Sequence, residues 1–132
     1  MKLDVSQSGG LLLDIDLDDI IPEALDNSVH YLVESTKEAV SSVIRHPDRS
    51  TGELVASVKA GKAKKVKGGG YYVPIVFPGT GSNGTRNGLK AAELEYGNAY
   101  QNATPFSDRA AHAAENDIAR AVEDYIGRRL GE

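Results

Sequence analysis

The sequence predicts an α+β domain in which an antiparallel β-meander of three to four strands packs with two long helices, one N-terminal and one C-terminal. Three observations predict it. Apolar residues recur at spacings of three and four between Leu25 and Val43, and again between Ala110 and Ile126. The stretch between holds short alternating or β-branched segments broken by glycine-rich runs. The 132-residue chain is the size of one ordinary domain, long enough to bury a core without staples, so residues 1–132 are read as one unit.

Taken in order, Leu11, Leu13, Ile15 and Leu17 alternate with Leu12, Asp14, Asp16 and Asp18, which predicts a short strand or an extended arm within residues 1–19. The first helix follows, with Pro22 suited to its first turn and Glu23 to the positive end of its dipole. Leu25, Val29, Leu32, Val33, Thr36, Ala39, Val40 and Val43 form its apolar face, and Pro47 stops it by His46. In Glu53 to Lys59, Leu54, Ala56 and Val58 oppose Val55, Ser57 and Lys59, which predicts a strand. Residues 61–70, rich in Gly and Lys, read as an exposed basic hairpin tip. Tyr71 to Phe77 reads as a strand, with Pro74 at an edge or a bulge. Residues 78–88 read as a flexible loop, and Leu89 to Tyr96 as a third strand despite the helix preference of its Ala and Glu. Thr104 is expected to cap the last helix, with Pro105 in its first turn and Ala110, Ala113, Ala114, Ile118, Ala121, Val122, Tyr125 and Ile126 on one face.

Composition narrows the chemistry. Without cysteine, the chain has no disulfide, thiolate metal site or cysteine nucleophile of its own. No apolar run approaches the ~20 residues of a spanning helix, and the amino terminus does not resemble a signal peptide, so a soluble intracellular protein is expected. The net charge of −4 is unevenly spread: Asp4, Asp14, Asp16, Asp18, Asp19, Glu23 and Asp26 crowd the start, while Lys59, Lys62, Lys64, Lys65 and Lys67 sit together.

The most enzyme-like string is FPGTGSNG, whose Gly79, Gly81 and Gly84 are spaced G-x-G-x-x-G. A dinucleotide fingerprint requires those glycines to open a helix inside a βαβ unit; here none is expected, and Asn87-Gly88 interrupts the chain. A P-loop would need Lys at 85 and Ser or Thr at 86, where Thr85 and Arg86 stand. A nucleotide-binding enzyme using the Gly79–Gly84 loop is kept as an alternative. Asp14, Asp16 and Asp18 begin like an EF-hand loop, but Asp19 and Leu25 occupy the Gly and Glu positions. His30, His46 and His112 share no metal-ligand spacing. The expectation is no catalytic, cofactor or metal residue, and no cofactor. Lys62, Lys64, Lys65 and Lys67 are candidates for DNA or partner contact, giving a nucleic-acid-binding protein as the first alternative, ahead of the nucleotide-binding enzyme, against a solubilising tip that guards a sheet edge. No aromatic residue interrupts the cluster, so base stacking is not indicated.

Two segments carry a family resemblance. Thr51-Gly52-Glu53-Leu54 with Ser57-Val58 resembles a T-G-x-L-x-x-S-[IV] motif, and Glu95-Tyr96-Gly97 followed by Pro105-Phe106 and Ala110 resembles an E-[FY]-G … P-F-x-x-x-A motif. In this order they are similar to the tail-completion, or neck, proteins of long-tailed bacteriophages, over about residues 12–130. The family often has a Pro-Val-Asp turn where this chain has His46-Pro47-Asp48-Arg49-Ser50, and a shorter loop than 78–88. The resemblance implies a non-enzymatic virion structural protein at the head-tail junction or in the tail, present in the host cytoplasm during assembly. It implies self-association into a ring and contact with connector or head-completion proteins and with tail-tube or tail-terminator proteins. DNA would pass through the lumen, and no membrane is involved. Thr51, Gly52, Leu54, Ser57, Glu95, Tyr96, Gly97, Pro105, Phe106 and Ala110 would then serve folding or subunit contact. Gly52 is expected to ease a turn from helix into strand, and Phe106 to plug the last helix against the sheet.

Overall fold

The computed structural model describes residues 3–5, 11–13, 20–45, 47–68 and 70–129. Asp14, Asp16, Asp18, Asp19, His46 and Leu130, and the predicted strand beyond Leu13, lie outside the described residues. The elements are β1 (Leu3–Val5), β2 (Leu11–Leu13), α1 (Ile21–Ser28), α2 (His30–Val43), α3 (Arg49–Ala56), β3 (Lys59–Ala60), β4 (Lys64–Lys65), β5 (Tyr71–Val73), β6 (Ile75–Val76), α4 (Asn87–Tyr96) and α5 (Ser107–Arg129).

The class is α+β, as expected, but the layout is not a three-to-four-strand meander between two long helices. All strand pairing is antiparallel, in one sheet of order β1-β2-β5-β4 and a separate pair β3-β6. Two segments expected as strands are helices. Arg49–Ala56 forms α3 because Asp48 and Thr51 build a reciprocal capping box at its start: Asp48 Oδ1 accepts from the Thr51 amide at 2.9 Å, and Thr51 Oγ1 accepts from the Asp48 amide at 2.7 Å. Asn87–Tyr96 forms α4, so the helix preference of Lys90 to Glu95 prevails over the strand reading.

The first helix carries its predicted start, with Pro22 and Glu23 in the first turn of α1, but it breaks at Val29 and ends at Val43. Ser28, fully buried, turns its hydroxyl back onto the carbonyls of Ala24 and Leu25, a bonding pattern that bends helices. The last helix is the one long element among the described residues. It begins at Ser107, so Thr104 is not its cap and Pro105 lies outside its first turn.

Residues 59–76 form a hairpin whose second arm falls where a strand is expected, but whose first arm, with β3 and β4, runs into the stretch 61–70 expected as the tip. Its register pairs Ala60 with Ile75 but Lys64 with Tyr72, so one extra residue sits on the first arm. That bulge lies opposite Pro74, as the sequence suggests, and the Pro74 carbonyl accepts from the Gly61 amide at 2.8 Å. A β-carbon on Gly61 would stand 2.7 Å from the Pro74 ring, so the bulge requires glycine there.

Two apolar clusters hold these parts together. The first joins Ile21, Ala24, Leu25 and Leu32 to Tyr71 and Val73 and to Ala111, Ala114, Ile118 and Val122, so α1 and α5 sandwich against the inner face of the sheet. The second contains Ala39, Val40, Leu54, Ala91, Phe106 and Ala110, with Phe77 packed on it, and is built by α2, α3, α4 and the start of α5.

Candidate functional site

The residues of the two sequence motifs converge on the second cluster. Leu54 brings α3 to it, and Phe106 and Ala110 bring α5; all three are buried. Phe106 meets Phe77 edge to face, ring centroids 5.8 Å apart. Phe106 therefore plugs α5 against three helices and not against the sheet as expected.

Glu95 and Gly97 organise the corner between α4 and α5. The Glu95 carboxylate accepts from the Phe106 amide at 2.9 Å, from the Ser107 amide at 3.2 Å and from the Ser107 hydroxyl. A carboxylate from the neighbouring helix thus occupies the positive end of α5, where the orphan amides need an acceptor. Gly97 ends α4 at φ 78°, and a β-carbon there would lie 2.8 Å from the Ala103 amide. Thr104, one residue before Pro105, turns back and donates both its amide and its hydroxyl to the Leu94 carbonyl. Pro105 is exposed, and Ser57 closes α3 by donating its hydroxyl to the Leu54 carbonyl.

Gly52 and Tyr96 contribute nothing of this kind. Gly52 lies inside α3 with nothing within 4 Å of an added β-carbon, so it does not serve the helix-to-strand turn expected of it. Gly52→Ala is accordingly expected to stabilise the isolated chain by ~0.5–1 kcal/mol in chemical denaturation; a loss of stability would show a contact inside the chain that needs the glycine. Tyr96 is 68% exposed and Tyr100, in the same corner, 96%. Beside Tyr96 is a recess of about 170 Å³ whose walls include Ile75, Phe77, Ala92, Tyr96 and Phe106. On the other side of α4 is a groove of about 520 Å³ with Ile44, Leu54 and Leu94 in its lining and Asp48, Lys90, Glu93 and Tyr100 also along it.

The glycine-rich segment departs from its expected form. It links the hairpin to a helix, not to a strand, and α4 starts three residues after Gly84. No parallel strand follows among the described residues, so the βαβ unit of a dinucleotide site is not formed there. The segment is closed by its own backbone: the amides of Gly81, Gly84 and Asn87 donate to the carbonyls of Thr85, Gly81 and Gly79. The Ser82 amide donates to both oxygens of Glu53, at 3.2 and 3.1 Å, and the Lys90 ammonium donates to buried Ser50. A protein carboxylate thus takes the place an anionic ligand would take.

Hydrogen bonding from the Ser82 side chain first, and from its amide second, holds the Glu53 carboxyl below its ordinary value against the opposing effect of burial, with Arg49 and Lys90 adding to the lowering. A lowered folded-state pKa contributes stability above the unfolded value, and that contribution fades as pH falls through the folded one. The stability gap between the native chain and Glu53→Gln is therefore expected to be widest above pH ~5 and to close below pH ~4, which urea titrations at several pH values would read.

The histidines lie apart from this region. His30 stacks near Tyr31 on α2, with ring centroids 4.2 Å apart, and His112 is exposed on α5, 3.8 Å from Glu115. Among the described residues no three His, Cys, Asp or Glu side chains are grouped to hold a metal ion, and no helix is long and apolar enough to cross a membrane. Lys59, Lys62, Lys64, Lys65 and Lys67 are all exposed along the first arm of the hairpin and its turn, with β4 at the edge of the sheet. Sequence reasoning placed them but did not find Asp48, Ser50 or Lys90. The available signal was the D-x-x-T spacing of Asp48 and Thr51. No protein-family model, curated protein or solved structure matches the chain.

Proposed function

We propose that this chain is a tail-completion or neck subunit of a long-tailed bacteriophage, a virion structural protein that helps join head to tail as one member of a ring. The observation that carries the reading is the meeting of the two motifs. Leu54 from the first and Phe106 and Ala110 from the second pack in one cluster, with Glu95 and Gly97 fixing the corner beside it. The residues that carry the resemblance are thus one structural unit, with a physical task for most of them. Gly52 and Tyr96, which the fold does not use, lie exposed where neighbours could pack. A ring built from heterologous contacts needs two different surfaces on each subunit, and the exposed aromatic corner and the basic hairpin are chemically distinct. Connector or head-completion proteins and tail-tube or tail-terminator proteins would be its neighbours.

Mass spectrometry of purified virions and tails tests this directly. The chain is expected in them at a few copies per particle's junction, and absence from both would sink the reading. The nucleotide-enzyme alternative requires the glycine-rich segment to release Glu53 and its internal bonds; calorimetry with NAD, ATP and GTP, silent at millimolar concentration, would leave it without support.

A further inference from the structure

Between Glu53 and Glu93 the sequence contains no acidic residue, while it carries Lys59, Lys62, Lys64, Lys65, Lys67, Arg86 and Lys90. Five of these seven cations fall on one hairpin, and the bulge decides how they are displayed. In an unbroken strand, side chains alternate, so Lys59 would face one way and Lys62 and Lys64 the other. The extra residue at Gly61 resets the phase. Ala60 and Ala63 both pack inward on the first apolar cluster, while Lys59, Lys62 and Lys64 are all exposed. The inward side is held in place by the Ala63 amide, which donates to Asp26 on α1 at 3.2 Å, so the Asp26 carboxylate is bonded to the backbone of this arm. Among the described residues Lys59, Lys62 and Lys64 make no ion pair. Three free ammonium groups thus share one face over roughly 16 Å, taking ~3.3 Å per residue.

We propose that this face of the hairpin, through Lys59, Lys62 and Lys64, binds the phosphate backbone of duplex DNA without reading its sequence. A line of cations of one sign fits a linear polyanion, and B-form DNA presents one charge per ~1.7 Å of axis, or about nine along such a line. No aromatic residue lies between Lys59 and Lys67, and across the strands only half-buried Tyr72 stands opposite Lys64, too little for a platform on which successive bases stack, which favours a duplex backbone over an unpaired strand. The Gly61 bulge is then a device for charge display as well as for folding. This inference stands whether or not the chain is a junction subunit, because it concerns binding by the isolated protein.

Fluorescence anisotropy with labelled duplexes of two unrelated sequences tests it on the full chain. Three neutralised phosphates give a slope of about −2.7 in log affinity against log salt, a loss of about fortyfold between ~50 and ~200 mM, equal for both sequences. The triple variant Lys59→Ser, Lys62→Ser, Lys64→Ser, checked for unchanged circular dichroism, is expected to lose at least tenfold at ~50 mM salt and most of the slope. The control Arg120→Ser, Arg128→Ser, exposed cations on α5, is expected to keep both. A poly-dT single strand should bind less tightly, with a slope nearer −2.1. The proposal is overturned by no binding at ~50 mM salt with ~100 µM protein, by unchanged binding in the triple variant, by equal loss in the control, or by tighter binding to the single strand.

Discussion

Phe106→Ala is expected to cost about 3–5 kcal/mol, the range for removing a buried aromatic ring from a packed interior. The ring is 4% exposed and is shared by four elements: it touches the cluster of Ala39, Val40, Leu54 and Ala91, and meets Phe77 edge to face. Removing it takes away the largest side chain by which the start of α5 packs on α2, α3 and α4, while Ala110 keeps its place in that cluster and α1 and α2 still hold the rest of α5 through Ala111, Ala114, Ile118 and Val122. In urea denaturation the midpoint should fall with the slope unchanged, and hydrogen exchange should rise first at the start of α5. The thermal midpoint should fall by roughly 10–20 °C for a chain of this size. A loss under ~1 kcal/mol would mean that the two motif segments do not share an interior at Phe106.

Glu95→Ala should be the next most damaging change, at about 2–3 kcal/mol. One carboxylate here satisfies two backbone amides and a serine hydroxyl at the end of a 23-residue helix. Loss of an N-cap alone costs about 1 kcal/mol, and charge-assisted bonds to partly buried groups are roughly twice as strong as neutral ones. Asp108→Ala, exposed in the same first turn, touches only the dipole and should cost under ~1 kcal/mol. Equal effects of the two substitutions, read by denaturation, would reduce Glu95 to a general dipole contribution.

Much of this architecture was legible. The apolar spacing finds the buried face of α5 at Ala110, Ala114, Ile118 and Val122, and that of the first helices at Leu25, Leu32, Thr36, Ala39 and Val40. The second arm of the hairpin and the irregularity in pairing at Pro74 follow from residue type and proline placement, while the first arm lies further along the chain than the alternation suggests. The segment after Pro47 was not legible by periodicity, because Leu54, Ala56 and Val58 against Val55 and Ser57 satisfy a strand template over a stretch too short to contain two helical turns of pattern. Its capping box was the deciding signal. The stretch from Leu89 to Tyr96 shows propensity overridden by an assumption about neighbours: Lys, Ala, Leu and Glu form α4 as their intrinsic preference says. Of the site, the sequence marks Phe106 but not what it packs against, whereas Gly97 is legible as a tight turn that a β-carbon would obstruct, as its φ of 78° and the approach of Ala103 bear out. The cap from Glu95 spans a loop, and Ser50 with Lys90 joins two helices that the sequence separates by a hairpin. Contacts of that range leave no local periodicity to read.

The proposed junction role is tested most directly by deleting the gene for this chain from the phage genome that the proposal requires to carry it and examining the lysate by electron microscopy, with a plasmid copy for rescue. DNA-filled heads and finished tails that fail to join, restored to whole particles by the plasmid, are the predicted result. Normal joined particles in the deletion lysate would contradict it.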